Sequence, residues 1–134
     1  MPTPTQLKKL KAAARTAASR AYAPYSGFRV GAAVLGASGK IHAGCNVENV
    51  SYGLSNCAER SAIFNAVSGG EKKLECVVIY TPTPGATTPC GACRQVINEF
   101  GPEARVISFC SGRGQLDVPI GALLPGAFGP RDLI

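Results

Sequence analysis

Apolar side chains recur along the chain in blocks whose spacing alternates between helical and extended patterns. Near the N-terminus they fall three and four positions apart, which predicts an amphipathic helix over about residues 5–22. A segment containing proline and glycine then breaks the pattern. Residues 28–35 predict a strand, 36–39 a turn, and 40–45 the return strand of a hairpin.

The remaining two thirds of the chain alternates between helical and strand-like segments. The predicted elements are a helix beginning at Cys57, a buried strand over 74–80, a loop over 81–88, a helix from Cys90 to Phe100, a strand over 105–110, a short extension over 116–118 and one helical turn over 120–124. Pro89 is predicted in the first turn of the Cys90 helix, where its missing amide hydrogen costs nothing. Strands alternating with helices predict an α/β fold in which a partly parallel sheet lies between helices.

Composition predicts one domain over residues 1–134, since 46% of the residues are hydrophobic and neither a linker nor a repeat is present. No segment approaches the roughly 18 apolar residues of a membrane span. The first ten residues lack the apolar core of a signal peptide, so we expect a cytoplasmic protein with no membrane partner.

The formal charge of +6 raises the question of a nucleic-acid partner. Five basic residues lie in the first twenty positions without an acid among them, and the rest of the chain is nearly neutral. A single basic helix face is usually a solvated surface, and the chain lacks the interleaved aromatic and basic residues that bind single strands. We therefore expect no nucleic-acid partner.

Three of the six cysteines stand in a pattern typical of zinc ligands. Cys90 and Cys93 are separated by two residues, and Cys57 begins the preceding helix. In a chain that is not exported, metal binding explains such a pattern better than disulfides. Three protein ligands leave the fourth position of a zinc ion open for an activated water, and Glu59 stands beside them as a proton carrier. The pattern therefore indicates a hydrolase.

Two predicted helix N-termini converge on this cluster, and their partial positive charge favours thiolates. We hypothesise that Arg60, together with Arg94, offsets the negative charge that three thiolates bring to one zinc ion.

Other interpretations of these residues stay open at this point. The zinc could be purely structural, with a fourth ligand from His42 or from another cysteine. Glu59 could be a helix first-turn acid, and Asn46 and Glu48 could cap a turn. Phe28 is a core residue by default, and Phe128 could close the core or a subunit interface. The other cysteines, which are Cys45, Cys76 and Cys110, are expected to be small buried hydrophobes.

Three motifs in one order resemble a known family. They are Asn46-Val47-Glu48-Asn49, Cys57-Ala58-Glu59-Arg60 and Pro89-Cys90-Gly91-Ala92-Cys93-Arg94-Gln95. Together with Pro24-Tyr25-Ser26, the 28–33 segment and Leu124-Pro125-Gly126-Ala127-Phe128, they resemble the small zinc cytidine deaminases of nucleoside salvage.

The resemblance implies a three-layer α/β/α fold with a mixed central sheet. It also implies hydrolytic deamination of cytidine and deoxycytidine, in which a hydroxide on zinc attacks C4 and Glu59 shuttles protons. One zinc ion per chain would be bound by the three cysteines. The substrate-binding residues would be Asn46 and Glu48 at the ribose, Phe28 on the base and the Ala58 amide at the base carbonyl. The small members of the family are homotetramers, with a C-terminal aromatic, here Phe128, reaching a neighbour's site.

The sequence also leaves other activities open. A related deaminase could act on a different substrate, such as a modified cytidine, with the same chemistry and a different pocket. A third class is a zinc-stabilised nucleic-acid module or an editor of polynucleotides. The adjacent acceptor and donor of Glu48 and Asn46 suit a sugar diol, which favours a nucleoside over a free base.

Overall fold

The structure is a computed structural model and describes residues 1–133. Its helices are α1 (Pro4–Ser19), α2 (Ala58–Ser68), α3 (Gly91–Phe100) and α4 (Ile120–Leu123). Its strands are β1 (Gly31–Gly36), β2 (Ile41–Cys45), β3 (Leu74–Thr81), β4 (Arg105–Cys110) and β5 (Gln115–Pro119). Two short 3₁₀ turns lie at Tyr52–Leu54 and Pro130–Leu133.

Helix α1 begins at a capping box. The Thr3 hydroxyl accepts a hydrogen bond from the Gln6 amide at 3.1 Å, and the Gln6 side chain accepts one from the Thr3 amide at 2.9 Å. The helix ends at Ser19, three residues before its predicted end. Tyr22 instead forms a bridge to the segment after β2, donating its amide to the Asn46 carbonyl at 3.0 Å.

The five strands form one mixed sheet in the order β2-β1-β3-β4-β5. The β3–β4 pair is parallel, whereas the other neighbours are antiparallel. Strand β1 begins at Gly31, so the prediction that it starts at Phe28 was wrong. The Asn46 side chain hydrogen-bonds to the backbone of this segment instead. It accepts from the Val30 amide at 2.8 Å and donates to the Phe28 carbonyl at 2.7 Å.

Helices cover both faces of the sheet, which confirms the three-layer α/β/α prediction. On one face Leu10 and Ala14 of α1 pack against sheet residues that include Leu35 and Ile107. On the other face α2, α3 and α4 bury a second cluster that includes Ile63 and Ile97. Burial of each large aliphatic side chain contributes about 1.5–3 kcal/mol.

Glycines allow the helices to lie very close to the sheet. A Cβ at Gly31 would lie 1.9 Å from the Ala14 carbonyl oxygen, and one at Gly44 would lie 2.5 Å from the Ala62 nitrogen. The second contact brings the first turns of α2 down onto β2, which positions the residues at the start of α2. No helix among residues 1–133 is long and apolar enough to cross a membrane.

Candidate active site

Three cysteine sulfurs meet where two helices begin. Cys57 is the N-cap of α2, Cys90 is the N-cap of α3, and Cys93 lies in the first turn of α3. Their sulfur atoms all lie within 4.8 Å of one another, with 3.8 Å between those of Cys57 and Cys90. Because α3 begins at Gly91, Pro89 precedes the N-cap, and the prediction that it opens the first turn was wrong.

The donor set fits a zinc ion. Zinc–sulfur bonds of about 2.3 Å in a tetrahedral arrangement place two sulfurs about 3.8 Å apart, which is the separation between Cys57 and Cys90. Within residues 1–133 this is the one group of at least three potential metal ligands. His42, considered above as a fourth ligand, instead pairs with Glu71 at 3.1 Å. The geometry therefore favours a three-ligand site over a closed structural one.

The surroundings of the cluster favour a thiolate at Cys57. Arg60 donates a hydrogen bond to the Cys57 sulfur at 3.2 Å, as the charge hypothesis required of it. The pKa of Cys57 falls to about 5 because Cys93 donates a hydrogen bond to its thiolate, with Arg60 as the next contributor. The pKa of Cys93 rises for the same reason, since this thiol keeps the proton that the pair shares. A zinc ion displaces that proton when it binds.

Glu59 is one residue beyond the Cys57 ligand and is only 5% exposed. Burial raises its pKa to about 7, because the desolvated carboxylate loses its hydration, and the Cys57 thiolate adds to the rise. A carboxyl group that titrates near neutral pH can both accept and donate a proton, which is the requirement for a general acid–base catalyst.

A cleft of about 220 Å³ runs from the metal cluster to the end of β2. Its lining residues are Phe28, Val30, Asn46, Glu48, Ser55, Asn56, Cys57, Ala58, Glu59, Ile79, Thr87, Thr88 and Cys90. Besides the cysteines, the structure thus brings five of the residues predicted from the sequence into the walls of one cleft: Phe28, Asn46, Glu48, Ala58 and Glu59. Arg60 does not line the cleft, but it contacts the Cys57 sulfur.

Asn46 and Glu48 also hold the wall of the cleft in place. Glu48 accepts hydrogen bonds from the Tyr25 and Ser26 amides at 3.0 and 3.1 Å and from the Ser26 hydroxyl. The Ser26 hydroxyl lowers the pKa of Glu48, which keeps this carboxylate charged. The Ser26 oxygen in turn accepts from the Phe28 amide at 3.0 Å. The turn-capping interpretation of Glu48 is therefore correct as a structural role, and it does not exclude sugar binding.

Two residues singled out in the sequence lie elsewhere. Phe128 is 59% exposed and does not line the cleft of its own chain. Arg94, grouped above with Arg60, donates instead to the Pro89 and Leu123 carbonyls at 2.8 and 3.0 Å. Arg94 therefore holds backbone, and only Arg60 of the two contacts a thiolate.

Sequence reasoning assigned no role to several cleft residues. Thr87 and Thr88 come from the segment predicted only as a loop, and Ile79 comes from the buried strand β3. For Thr87 and Thr88 the one available signal was their position just before Pro89 and Cys90. Ser26 was noted only as part of a motif, and its hydrogen bonds to Glu48 and Phe28 have no local sequence pattern.

Known proteins are similar to this chain in both sequence and fold. A family model described as "Cytidine and deoxycytidylate deaminase zinc-binding region" matches residues 4–109. The cytidine deaminase of Sporosarcina psychrophila is 44% identical over 128 residues, which cover 95% of this chain and 94% of that protein.

Two solved structures of similar proteins superpose on most of the chain. The crystal structure of a cytidine deaminase from Burkholderia pseudomallei has a TM-score of 0.86 and 45% identity, covering 90% of this chain and 98% of that one. The corresponding structure from Mycobacterium tuberculosis has a TM-score of 0.78 and 40% identity, covering 92% and 97%. The likeness therefore extends over most of the chain in both sequence and fold.

Proposed function

Because the chain belongs to the zinc-binding cytidine and deoxycytidylate deaminase family, we propose that it converts cytidine and deoxycytidine to uridine and deoxyuridine in pyrimidine salvage. One water is consumed and one ammonia is released in each turnover. Cys57, Cys90 and Cys93 bind the zinc ion. When bound, zinc acts as a Lewis acid that makes water nucleophilic near neutral pH.

Glu59 is the proton carrier in this proposal. It takes a proton from the attacking water and delivers it to N3 of the pyrimidine. Glu59 then protonates the amine that leaves C4. One carboxyl group can serve in both directions because burial brings its pKa in the zinc-free chain to about 7, which is close to neutral pH.

The walls of the cleft hold the nucleoside. The Ala58 amide lies in the first turn of α2, where helix amides lack partners within the helix, and it is assigned to the base carbonyl. Phe28 is assigned to the face of the base. Asn46 and Glu48 are assigned to the ribose hydroxyls, since each keeps hydrogen-bonding capacity beyond its bonds to the protein.

A single juxtaposition carries the proposal. Three sulfurs able to hold zinc meet at a cleft with room for a ligand, and its lining includes two of these cysteines, Cys57 and Cys90, together with the nearly buried carboxyl group of Glu59. A structural zinc site has no use for a buried carboxyl group beside an accessible ligand set, whereas a hydrolytic site requires both.

Loss of cytidine absorbance in the ultraviolet tests the proposal. We expect Glu59→Gln to keep its zinc and its fold but to lose almost all turnover. Glu75→Gln is the matched control, since this glutamate is exposed on β3. Normal deamination by Glu59→Gln would show that another group carries the proton.

We also propose that the chain forms a cytoplasmic homotetramer with shared active sites. Exposed aromatic residues near the cleft and the tail support an interface, with Tyr52 at 75% and Phe128 at 59% exposure. All six cysteines are free, which suits a reducing compartment.

Mixing two inactive variants tests the shared site. Glu59→Gln chains still offer Phe128, and Phe128→Ala chains still offer Glu59, so hybrid oligomers should regain activity that neither variant has alone. Sedimentation should give four chains per particle. A monomer in sedimentation, or no recovery on mixing, contradicts the proposal.

A further inference from the structure

Arg94 joins two segments that are distant in sequence, and both contacts are to backbone carbonyls. Its Nε donates to the Pro89 carbonyl at 2.8 Å, and its Nη1 donates to the Leu123 carbonyl at 3.0 Å. Pro89 immediately precedes the zinc ligand Cys90, and Leu123 is the last residue of α4. The guanidinium therefore links the backbone just before the zinc ligand Cys90 to the C-terminal end of α4.

Each of the two carbonyls needs this donor. Pro89 is buried, and a buried carbonyl without a hydrogen bond is costly. The Leu123 carbonyl lies at the end of a helix, where carbonyls have no partner within the helix. A planar guanidinium offers two donors at fixed directions, whereas a lysine ammonium offers a single charged point.

Cys90 depends on this contact more than the other ligands do. Cys93 is fully buried in α3 and Cys57 is partly buried, whereas Cys90 is exposed. Few side chains therefore pack around Cys90, and its position follows from the backbone on either side. On the N-terminal side that backbone is held at the Pro89 carbonyl.

From these contacts we propose that Arg94 is a positioning residue that keeps Cys90 in place for zinc by clamping Pro89 to the end of α4. The next residue, Gln95, extends the link, because its side chain donates to the Phe128 carbonyl at 2.9 Å. Arg94 thus holds both Pro89, which precedes the ligand Cys90, and Leu123, which begins the segment that leads to Phe128. This inference uses the zinc site of the proposed function, but it concerns retention of zinc and does not depend on the substrate.

Zinc release to a chromogenic chelator under native conditions tests the inference. We expect Arg94→Met to release zinc about tenfold faster than the unmodified chain, since groups that orient metal ligands typically change metal affinity by 10- to 100-fold. Arg94→Lys should lie closer to Arg94→Met than to the unmodified chain, because a lysine cannot bridge both carbonyls. Gln95→Leu removes only the Phe128 contact and should release zinc within about twofold of the unmodified rate.

Two controls separate positioning from a general loss of stability. Ile107→Val trims a buried side chain on the α1 face of the sheet, and Arg113→Met removes an exposed arginine from the β4–β5 turn. Both should release zinc at the unmodified rate. The inference is overturned if the Arg94 variants also release zinc at that rate, or if Ile107→Val accelerates release as much as they do. Neither result would bear on whether the enzyme deaminates cytidine.

Discussion

Replacing Glu59 by glutamine should stabilise the zinc-free protein at alkaline pH, although it removes the carboxyl group that we propose as the proton carrier. Glu59 is nearly buried, and burial is the main reason that its pKa stands at about 7. Ionising this group in the folded chain is therefore unfavourable. A glutamine of the same shape carries no charge and avoids that cost.

The size of the effect follows from the two pKa values of Glu59. The folded value of about 7 lies above the value of 4.5 expected for an unfolded chain. Below pH 4.5 both states are protonated and the carboxyl group has no effect on stability. As the pH rises from 4.5 to 7 the unfolded chain ionises first, so the folded chain loses stability, and the loss reaches about 3 kcal/mol above pH 7. The advantage of Glu59→Gln should thus be about 1 kcal/mol at pH 5.5 and about 3 kcal/mol at pH 8.5.

Urea unfolding followed by circular dichroism, with a chelator and a reductant present, measures this difference. The titration of Cys57 affects both proteins and largely cancels in the comparison. Glu75→Gln should show no comparable advantage, because this glutamate is solvent-exposed. An advantage of equal size at both pH values, or a less stable Glu59→Gln at pH 8.5, would refute the assignment of a raised pKa to Glu59.

Two further predictions concern the charge at the sulfurs and the packing of α1. Arg60→Ala should raise the pKa of Cys57, since Arg60 donates to its sulfur, so that in the zinc-free protein rapid alkylation of Cys57 begins at higher pH and zinc is held less tightly. An unchanged alkylation profile, followed by mass spectrometry, would contradict this. Gly31→Ala should lower stability by at least about 1–3 kcal/mol in thermal unfolding, because its Cβ would lie 1.9 Å from the Ala14 carbonyl oxygen. A Tm equal to that of the unmodified chain would show that α1 shifts at little cost.

The metal site could be predicted because its signals are local. Cys90 and Cys93 are three positions apart, and one helical turn is enough to bring them together. Cys57 and Glu59 lie two positions apart, so their proximity is also a local feature of the sequence. Only the contact between Cys57 and the Cys90–Cys93 pair is long-range. The resemblance of the motifs to a zinc deaminase family predicted that contact.

The contacts that hold the cleft together could not be predicted, since side chain–backbone bonds between distant segments leave no periodic pattern. Asn46 takes the backbone groups of Phe28 and Val30, which is why β1 begins later than its apolar run suggests. Arg94 was grouped with Arg60 as a charge that offsets the three thiolates. The Arg94 side chain instead donates to the Pro89 and Leu123 carbonyls, and the second contact depends on the position of α4 in the fold.

Under the proposed assignments of Asn46 to the sugar and Phe28 to the base, the two hydrogen bonds of Asn46 predict that sugar recognition and base recognition are coupled. Its amide oxygen accepts from Val30 and its nitrogen donates to Phe28, which leaves one lone pair and one N–H for a ribose hydroxyl. The residue assigned to the sugar thus also fixes the aromatic residue assigned to the base.

A double-mutant cycle measures this coupling. In the unmodified chain Asn46→Ala should remove the sugar contact and loosen Phe28, whereas in a Phe28→Ala background only the sugar contact remains to be lost. The two changes in kcat/KM should therefore fall short of additivity by about 0.5–3 kcal/mol. Thermal unfolding of each variant confirms that it is folded. Additive changes would mean that Asn46 acts on the sugar alone, and the hydrogen bonds to Phe28 and Val30 would then have no part in placing the base.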